Sequence, residues 1–253
     1  MSSPTYNILL IVEGEKTEVD LFEKMSGLFL TNDKKIKFFS FKTNIYKLYL
    51  TLKDDVFVDL VGALKEKAPE NCDKSIFEEK FSEIYLIFDA DFQDNNFTEH
   101  KIRKMTEFFT DQFDNGKLYI NYPMVESYRH HDKFNLDKYL LNKIELNGLS
   151  SKSYKDFVDT VGSKKSLNSY NQSTFEKLIY LNLTKAEFLV KGNKRLPTYQ
   201  ELNNELNQLN ILNKQLELKN KDNVISILNT SLFILIDMLG EKFFQKIKKV
   251  KLK

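Results

Sequence analysis

The sequence predicts an α/β fold in which a mainly parallel sheet is flanked by helices and followed by an α-helical C-terminal region. Two observations predict it. Short, continuous apolar runs at Ile8–Val12 and Ile84–Phe88 are typical of strands that are buried on both faces of a parallel sheet. Segments with helical apolar spacing follow these runs, and strands that alternate with helices indicate βα units. The pattern changes near Gly148, so we expect an α/β domain over residues 1–147 and a helical region over 148–253.

The first element is a strand, a tight turn and a helix within Asn7–Met25. The apolar run ends in Glu13, Gly14 follows, and Thr17 is a plausible N-cap for the helix after the turn. Open α/β sheets place their ligand sites at the carboxyl ends of parallel strands. Glu13 is therefore the first candidate site residue.

The elements that follow alternate in the same way. We expect a second strand at Lys35–Phe41, a helix at Asn44–Leu64, and the central strand at Ile84–Phe88. A helix at His100–Phe113 and a strand at Lys117–Tyr122 complete the α/β part.

The second part of the chain has a different residue composition. Serine and lysine dominate residues 150–169, which we expect to form a loop or lid. From there the pattern predicts only helices, at Thr174–Val190, Tyr199–Leu218 and Asp222–Ile247.

A leucine stripe runs along one of these helices and has two interpretations. It is either the seam of a homodimer or a face that packs against the last helix. The stripe consists of Leu202, Leu206, Leu209, Leu212 and Leu216.

The composition is that of a folded protein, with 42% apolar and 13% aromatic residues. Because 38 Lys and Arg nearly balance 36 Asp and Glu, nucleic-acid binding needs a local basic patch. The tail Lys242–Lys253, with six lysines, is either such a patch or a solvated helix end.

The single cysteine, Cys72, excludes an internal disulfide and fits a cytoplasmic protein. The longest apolar patch, Ser231–Leu239, is too short to span a bilayer, so we expect no membrane partner.

Two aspartates directly after the central strand carry the strongest chemical signal. Asp89 and Asp91 are two residues apart, so both side chains project from one face if the backbone is extended. Carboxylates held close together repel each other unless a cation lies between them, and Mg²⁺ or Mn²⁺ suits oxygen ligands. With Glu13 from another strand end, these groups can hold metal, position a water and stabilise charge on a phosphoryl group.

The two motifs IVEGEKTE and LIFDADFQD resemble the defining motifs of the Toprim domain, over about residues 5–125. This family is shared by topoisomerases, bacterial primases, recombination-repair proteins and OLD-type nucleases. The resemblance implies that Glu13 is a general acid/base or a metal ligand, and that Asp89 and Asp91 coordinate Mg²⁺. Glu18 matches an acidic position of OLD-like members, which implies a further ligand; a solvated helix-start carboxylate is the alternative.

The second half is similar to small stand-alone Toprim proteins of the RloB and abortive-infection kind. The similarity lies in NYPMVESYRHHDKF and NLTKAEFL, and such proteins are associated with bacterial restriction and phage defence. It implies that Glu126 is another acidic residue or metal ligand at the site; a plain first-turn glutamate is the alternative. Lys185 would contact nucleic-acid phosphates or be a solvated lysine. His130, four residues after Glu126, would share its helix face as a base or ligand, or have no such role.

The chain also departs from the family. Glu13 and Asp89 are 76 residues apart, which implies an extra helical insert between them. Gln93 stands where topoisomerase-type members often have a third aspartate, and the chain has no room for a topoisomerase or primase core.

The expected function is therefore a Mg²⁺-dependent nuclease that cuts DNA or RNA in anti-phage defence. Two alternatives remain open. One is a non-catalytic Toprim module that docks onto a partner, and the other is a subunit activated by an ATPase encoded nearby.

Overall fold

The computed structural model describes residues 6–52, 60–67, 74–163 and 166–252. The fold is α/β, with a mostly parallel mixed sheet flanked by helices and a helical C-terminal region, as the sequence predicts. No helix among these residues is both long and apolar enough to cross a membrane. Cys72 lies outside the described residues.

Eight strands and ten α-helices are described, together with four short 3₁₀ helices. The strands are β1 (Tyr6–Val12), β2 (Lys34–Ser40), β3 (Glu83–Asp89), β4 (Thr110–Asp111), β5 (Gly116–Tyr122), β6 (Lys143–Glu145), β7 (Val224–Ser226) and β8 (Leu228–Asn229). The α-helices are α1 (Thr17–Phe29), α2 (Ile45–Leu52), α3 (Leu60–Lys67), α4 (Glu99–Phe108), α5 (Leu136–Leu141), α6 (Ser151–Val161), α7 (Gln172–Lys191), α8 (Tyr199–Asn204), α9 (Gln208–Asp222) and α10 (Ile234–Ile247). The 3₁₀ helices are Lys74–Glu78, Val125–Arg129, Leu167–Ser169 and Ser231–Phe233.

The chain forms two compact units. The first unit is the chain up to Phe88 with Asn95–Tyr119, and the second is Asp89–Asp94 with Ile120–Lys253. The segment after β3 belongs to the second unit because of its hydrogen bonds. The backbone N–H of Ala90 donates to the carbonyl oxygen of Asn121 at 3.0 Å, for example.

The sheet of the first unit has the strand order β2-β1-β3-β5-β4. β1 is parallel to both of its neighbours, and Val12 pairs with Ser40 of β2 and with Ile87 of β3. Ile8–Val12 are fully buried, as a strand covered on both faces requires. β4 pairs with β5 in the antiparallel direction. The strands predicted from the two apolar runs are thus confirmed.

The turn between β1 and α1 is closed by a carboxylate rather than by the predicted cap. α1 begins at Thr17, and its N-cap residue, Lys16, makes no side-chain cap hydrogen bond, so the cap predicted for Thr17 is wrong. Glu18 in the first helical turn instead accepts the backbone N–H of Gly14 at 3.3 Å. A carboxylate at this end of a helix also complements the helix dipole.

The region predicted as one helix over residues 44–64 contains α2 and α3, and residues 53–59 lie outside the described part. α4 is capped by Thr98, whose hydroxyl accepts the N–H of Lys101 at 3.2 Å. Such a cap typically contributes about 1 kcal/mol.

The second unit contains strands that the helical pattern did not predict. β6 and β7 pair in the antiparallel direction, and β8 pairs with the end of β5 through Asn121 and Asn229. These strands are two or three residues long. They are too short to show the alternation of apolar and polar residues by which a strand is recognised in a sequence. Gln215 completes β7, because its side-chain amide exchanges two hydrogen bonds with the backbone of Ser226, at 2.8 and 2.9 Å.

The serine- and lysine-rich stretch contains a helix where a loop or lid was expected. Ser150 and Ser153 form a reciprocal capping box at the start of α6. Tyr154 and Val158, one helical turn apart, are fully buried and anchor the helix. The loop prediction is therefore wrong over Ser151–Val161, since two apolar residues at helical spacing are enough to dock this polar helix.

The leucine stripe is divided, because α8 ends at Asn204 and α9 starts at Gln208. Leu212 and Leu216 are buried, and α9 packs against α7 and β7. These two leucines therefore have a packing role within the chain.

Candidate functional site

Two of the predicted carboxylates each lie at the carboxyl end of a strand. Asp89 is the last residue of β3, and Glu13 directly follows β1. The backbone N–H of Glu13 donates to the carbonyl oxygen of Ile87 in β3 at 3.2 Å, which extends the ladder by one residue. Open α/β folds place their sites at the carboxyl ends of parallel strands.

Asp89 is fixed by the segment that follows β5. Its side chain is buried, and its Oδ1 accepts the backbone N–H of Val125 at 2.8 Å. The next residue, Ala90, donates its N–H to the carbonyl oxygens of Asn121 and Pro123, at 3.0 and 3.1 Å. The aspartate and residues 121–125 therefore form one hydrogen-bonded structure within the second unit.

Asp91 departs from the extended backbone on which the same-face argument rests. Its φ angle is +39°, in the left-handed region that Asp and Asn tolerate better than most residues. Strand alternation therefore does not relate the directions of the Asp89 and Asp91 side chains. Burial raises the pKa of Asp91, and the negative charge of Asp94 raises it further. A nearby cation would relieve both effects.

Glu126 lies in the 3₁₀ helix Val125–Arg129, directly after the residue that donates to Asp89. Its side chain is only 4% exposed, and Oε1 lies 3.1 Å from Nζ of Lys155. Its other oxygen, Oε2, has no hydrogen-bond partner within the described residues. A buried carboxylate with one unsatisfied oxygen is costly unless something from outside the chain completes it.

Unsatisfied polar atoms are concentrated in the same segment. Within the described part of the chain, four buried side-chain atoms of this kind lie between residues 121 and 127. They are Nδ2 of Asn121, the hydroxyl of Tyr122, Oε2 of Glu126 and Oγ of Ser127. Because buried polar groups in native proteins nearly always have partners, such a concentration marks a place where water, an ion or a ligand binds. This concentration makes Asn121–Ser127, together with Asp89, the candidate site.

α6 makes polar contacts with Arg129 and His130, at the end of the 3₁₀ helix that contains Glu126. The Tyr154 hydroxyl lies 3.0 Å from Nδ1 of His130, and Nη1 of Arg129 lies 2.8 Å from Oδ1 of Asp159. Burial raises the pKa of Tyr154 well above its usual value, and the charges of Glu126 and Asp89 add to the shift. The Tyr154 hydroxyl therefore stays protonated beside the two carboxylates.

His130 does not share a helix face with Glu126, because the 3₁₀ helix ends at Arg129 and His130 is its C-cap. Burial lowers the pKa of His130 to about 4, and the charge of Lys185 contributes. The imidazole is therefore neutral near pH 7 and in contact with the Tyr154 hydroxyl.

Glu18 is buried rather than solvated. Besides its hydrogen bond to the Gly14 N–H, it packs so closely that a Cβ added to Gly14 would lie 2.8 Å from its Oε2. A solvated helix-start carboxylate does not fit this arrangement. Glu18 holds the turn that leads out of β1.

Lys185 is fully buried, and its ammonium caps the carboxyl end of α5. Nζ donates to the carbonyl oxygens of Tyr139, Leu140 and Asn142 at 2.7, 2.9 and 2.8 Å. Burial lowers the pKa of Lys185 to about 7. The structure corrects both interpretations of this residue, because the ammonium is neither solvated nor presented to a phosphate.

The donor chemistry fits a hard divalent cation, but the complete ligand set is not assembled. Carboxylate oxygens of Asp89, Asp91 and Glu126 are the ligand type that Mg²⁺ prefers. Within the described ranges, however, no group of three or more His, Cys, Asp or Glu side chains is arranged to hold a metal ion. The free oxygen of Glu126 shows where the site lacks a partner.

Sequence reasoning missed Lys155 and Tyr154, because they lie in the serine- and lysine-rich stretch. The usable signal was the apolar pair Tyr154 and Val158 after a serine cap.

The chain was compared with protein-family models, curated proteins and solved structures, and none of these comparisons gives a match.

Proposed function

We propose that the chain is a metal-dependent nuclease that cleaves phosphodiester bonds of DNA or RNA. One observation carries the proposal: Asp89 and Glu126 are buried in one hydrogen-bonded structure, and the segment Asn121–Ser127 has four unsatisfied polar atoms, one of which is Oε2 of Glu126. A buried carboxylate with one unsatisfied oxygen, as in Glu126, favours a site completed by a cation over a purely structural role. The resemblance of IVEGEKTE and LIFDADFQD to the Toprim motifs supplies the reaction class.

We assign each carboxylate a role from its surroundings. Asp89, Asp91 and Glu126 would hold Mg²⁺ or Mn²⁺, which when bound polarises the scissile phosphate. Asp89 is held in one orientation by the Val125 N–H. Burial and the charge of Asp94 raise the pKa of Asp91, and a neighbouring positive charge would counter both effects.

Glu13 takes its role from the resemblance and from its place at a strand end. A carboxylate there either holds metal or accepts the proton of the attacking water. Glu18 keeps the adjacent turn in place through Gly14, and a direct ligand role for it remains part of the proposal.

The biological setting is also a proposal. The second half resembles small stand-alone Toprim proteins from restriction and phage-defence loci, which supports an effector of bacterial anti-phage defence. The near balance of charges leaves both DNA and RNA as substrates.

A second candidate function has its own support. Lys155 neutralises Glu126, and no three-residue metal group is assembled in the part of the chain described here. Both observations favour a Toprim subunit that becomes active, or binds nucleic acid, only on docking with a partner such as an ATPase encoded nearby.

A substrate survey tests the first candidate against the second. The purified chain is incubated with plasmid, single-stranded DNA and total RNA, with Mn²⁺, with Mg²⁺ or with a chelator. The nuclease proposal predicts cutting that requires metal, and the substrate that is cut names the substrate class. Cutting that appears only after the partner is added would support the second candidate, and cutting that persists in chelator would contradict the metal-dependent mechanism.

A further inference from the structure

Lysines are concentrated in residues 242–252, at the end of α10 and directly after it. This stretch, called the basic segment below, contains five lysines and no carboxylate. All five are exposed, and none forms an ion pair within the described part of the chain. They are Lys242, Lys246, Lys248, Lys249 and Lys251. Other lysines, such as Lys138 and Lys214, are paired with carboxylates, so the basic segment concentrates uncompensated positive charge.

The carboxylates of α8, which contacts α10, are engaged by another lysine. The ring of Tyr199, the first residue of α8, lies 5.5 Å from the ring of Phe244 in α10. Glu201 and Glu205 both pair with Lys191, at 3.1 and 2.7 Å. These two carboxylates therefore do not neutralise the basic segment.

The backbone of the basic segment is fixed to the chain. Phe243, Phe244 and Ile247 are buried, and α10 packs against α7. Beyond the helix, the N–H of Lys248 donates to the carbonyl oxygen of Phe244 at 3.0 Å, and that of Val250 donates to Ile247 at 3.1 Å. A partner would therefore meet lysines that project from an ordered backbone, without the entropic cost of ordering it.

Three of the lysines follow one another at helical spacing. Lys242 and Lys246 are one turn apart, and the backbone N–H of Lys249 donates to the carbonyl oxygen of Lys246 at 3.0 Å, which continues the turn. Like charges at this spacing destabilise a helix, and an anionic partner relieves their repulsion. A row of such charges matches a polyanion better than a single small anion.

The apolar residues of the basic segment favour a nucleic acid over a membrane as that polyanion. A helix that lies on a membrane must turn an apolar face towards the lipid. Here Phe243, Phe244 and Ile247 are buried within the chain, so the helix presents charge without such a face. Lysines that contact phosphates release counterions, which provides affinity without base recognition.

We propose that the basic segment binds the phosphate backbone of DNA or RNA without reading its sequence. Lys242, Lys246 and Lys249 form the row of contacts. The inference does not rest on the proposed cleavage, because a chain without catalytic activity would bind in the same way. It places the phosphate contacts in the basic segment, whereas the ammonium of Lys185 is buried.

The test is fluorescence anisotropy of the full chain with a labelled DNA duplex of about 20 base pairs, or with single-stranded RNA of similar length. A chelator is present, so that metal-dependent cutting does not occur. The triple variant Lys242→Gln, Lys246→Gln, Lys249→Gln is expected to bind at least about tenfold more weakly at low salt. For the duplex, the slope of log Kd against log salt concentration should fall by about 2 to 3, because three phosphate contacts are lost.

Two further variants separate charge at this place from net charge and from folding. The triple variant Lys47→Gln, Lys80→Gln, Lys194→Gln removes the same charge at exposed lysines that are dispersed along the chain, and it should bind as the unsubstituted chain does. Arginine at positions 242, 246 and 249 keeps the charge and should preserve the affinity.

A second measurement uses the unsubstituted chain alone. Amine labelling followed by mass spectrometry reports how accessible each lysine is. The DNA duplex should lower the labelling rates of Lys242, Lys246 and Lys249 severalfold, while that of Lys194 stays constant.

The outcomes separate this proposal from the nuclease proposal. Equal affinity and salt slope in the glutamine variant of the basic segment, or no binding of either nucleic acid by the unsubstituted chain, would overturn the inference. Binding to vesicles of anionic lipid but to neither nucleic acid would overturn it in favour of a membrane. Binding that meets the expectations, together with no metal-dependent cutting in the substrate survey, would uphold the basic segment and reject the free nuclease.

Discussion

Oδ1 of Asp89 accepts the backbone N–H of Val125 at 2.8 Å, which ties the end of β3 to the residue before Glu126. Two carboxylates that are 37 positions apart in the sequence are thereby held in one buried structure. The hydrogen bond also means that a substitution at Asp89 has two separable effects. It changes the charge of the site, and it changes how the segment after β5 is held.

Asp89→Asn and Asp89→Ala are expected to differ in stability. The amide of Asn keeps an oxygen that can accept the Val125 N–H, so the free energy of unfolding should fall by less than about 1 kcal/mol. Ala leaves that buried N–H without its acceptor, so a loss of about 2 kcal/mol is expected. Urea unfolding of both variants measures the difference. Equal losses would show that the hydrogen bond does not hold the segment.

Lys185→Met is expected to destabilise the chain by about 3 kcal/mol, because it leaves three carbonyl oxygens at the end of α5 without their buried donor. Lys194→Met, at an exposed lysine after α7, is the control and should be nearly neutral. Chemical denaturation monitored by circular dichroism gives both values. A Lys185→Met variant as stable as the control would refute the capping role.

The pH dependence of stability should carry a contribution from His130. Its pKa in the folded chain is about 4, below the usual 6.5, so the unfolded chain binds a proton in this range that the folded chain does not. Stability from this residue is therefore complete above pH 6.5 and is lost as the pH falls towards 4. When the pH falls from about 7 to about 4.5, the free energy of unfolding should decrease less in His130→Gln than in the unsubstituted chain, by more than about 1 kcal/mol. Urea unfolding at both pH values tests this, and parallel pH profiles would contradict it.

Gly162→Ala should weaken the docking of α6 on the 3₁₀ helix. A Cβ at this position would lie 2.6 Å from the carbonyl oxygen of Arg129 and 2.7 Å from that of Val158. A loss of about 1–3 kcal/mol is expected. The control is Gly27→Ala in α1, where a Cβ meets nothing within 4 Å and should stabilise the helix by about 0.5–1 kcal/mol. Thermal unfolding separates the two, and losses of similar size would remove the steric argument.

The sequence predicted the parts of the fold that depend on continuous apolar runs. β1 and β3, and the carboxylates at their ends, follow from continuous burial in a parallel sheet. The direction of Asp91 was not predictable, because strand alternation assumes an extended backbone and the chain turns there at a φ angle of +39°. The strands β7 and β8 were missed because they are too short to show the alternation of apolar and polar residues that identifies a strand.

The chemistry of individual lysines was the least predictable feature. Lys155 and Lys185 look alike in the sequence, as lysines in helical or polar stretches. One reaches from solvent to a buried glutamate, and the other is fully buried against three carbonyl oxygens. What separates them is tertiary contact with residues 29 or more positions away, which no local pattern encodes.

The measurement that tests the central claim most directly is nucleic-acid cleavage in Mn²⁺ by the unsubstituted chain and two charge variants. An Asp89→Asn, Asp91→Asn double variant removes two carboxylate charges of the proposed site while keeping the size of both side chains. Asp137→Asn, at an exposed position of α5, makes the same kind of change away from it. The account predicts that the unsubstituted chain and Asp137→Asn cut at equal rates and that the double variant loses at least about a hundredfold in rate. Cleavage by a folded double variant at the unsubstituted rate would contradict the account.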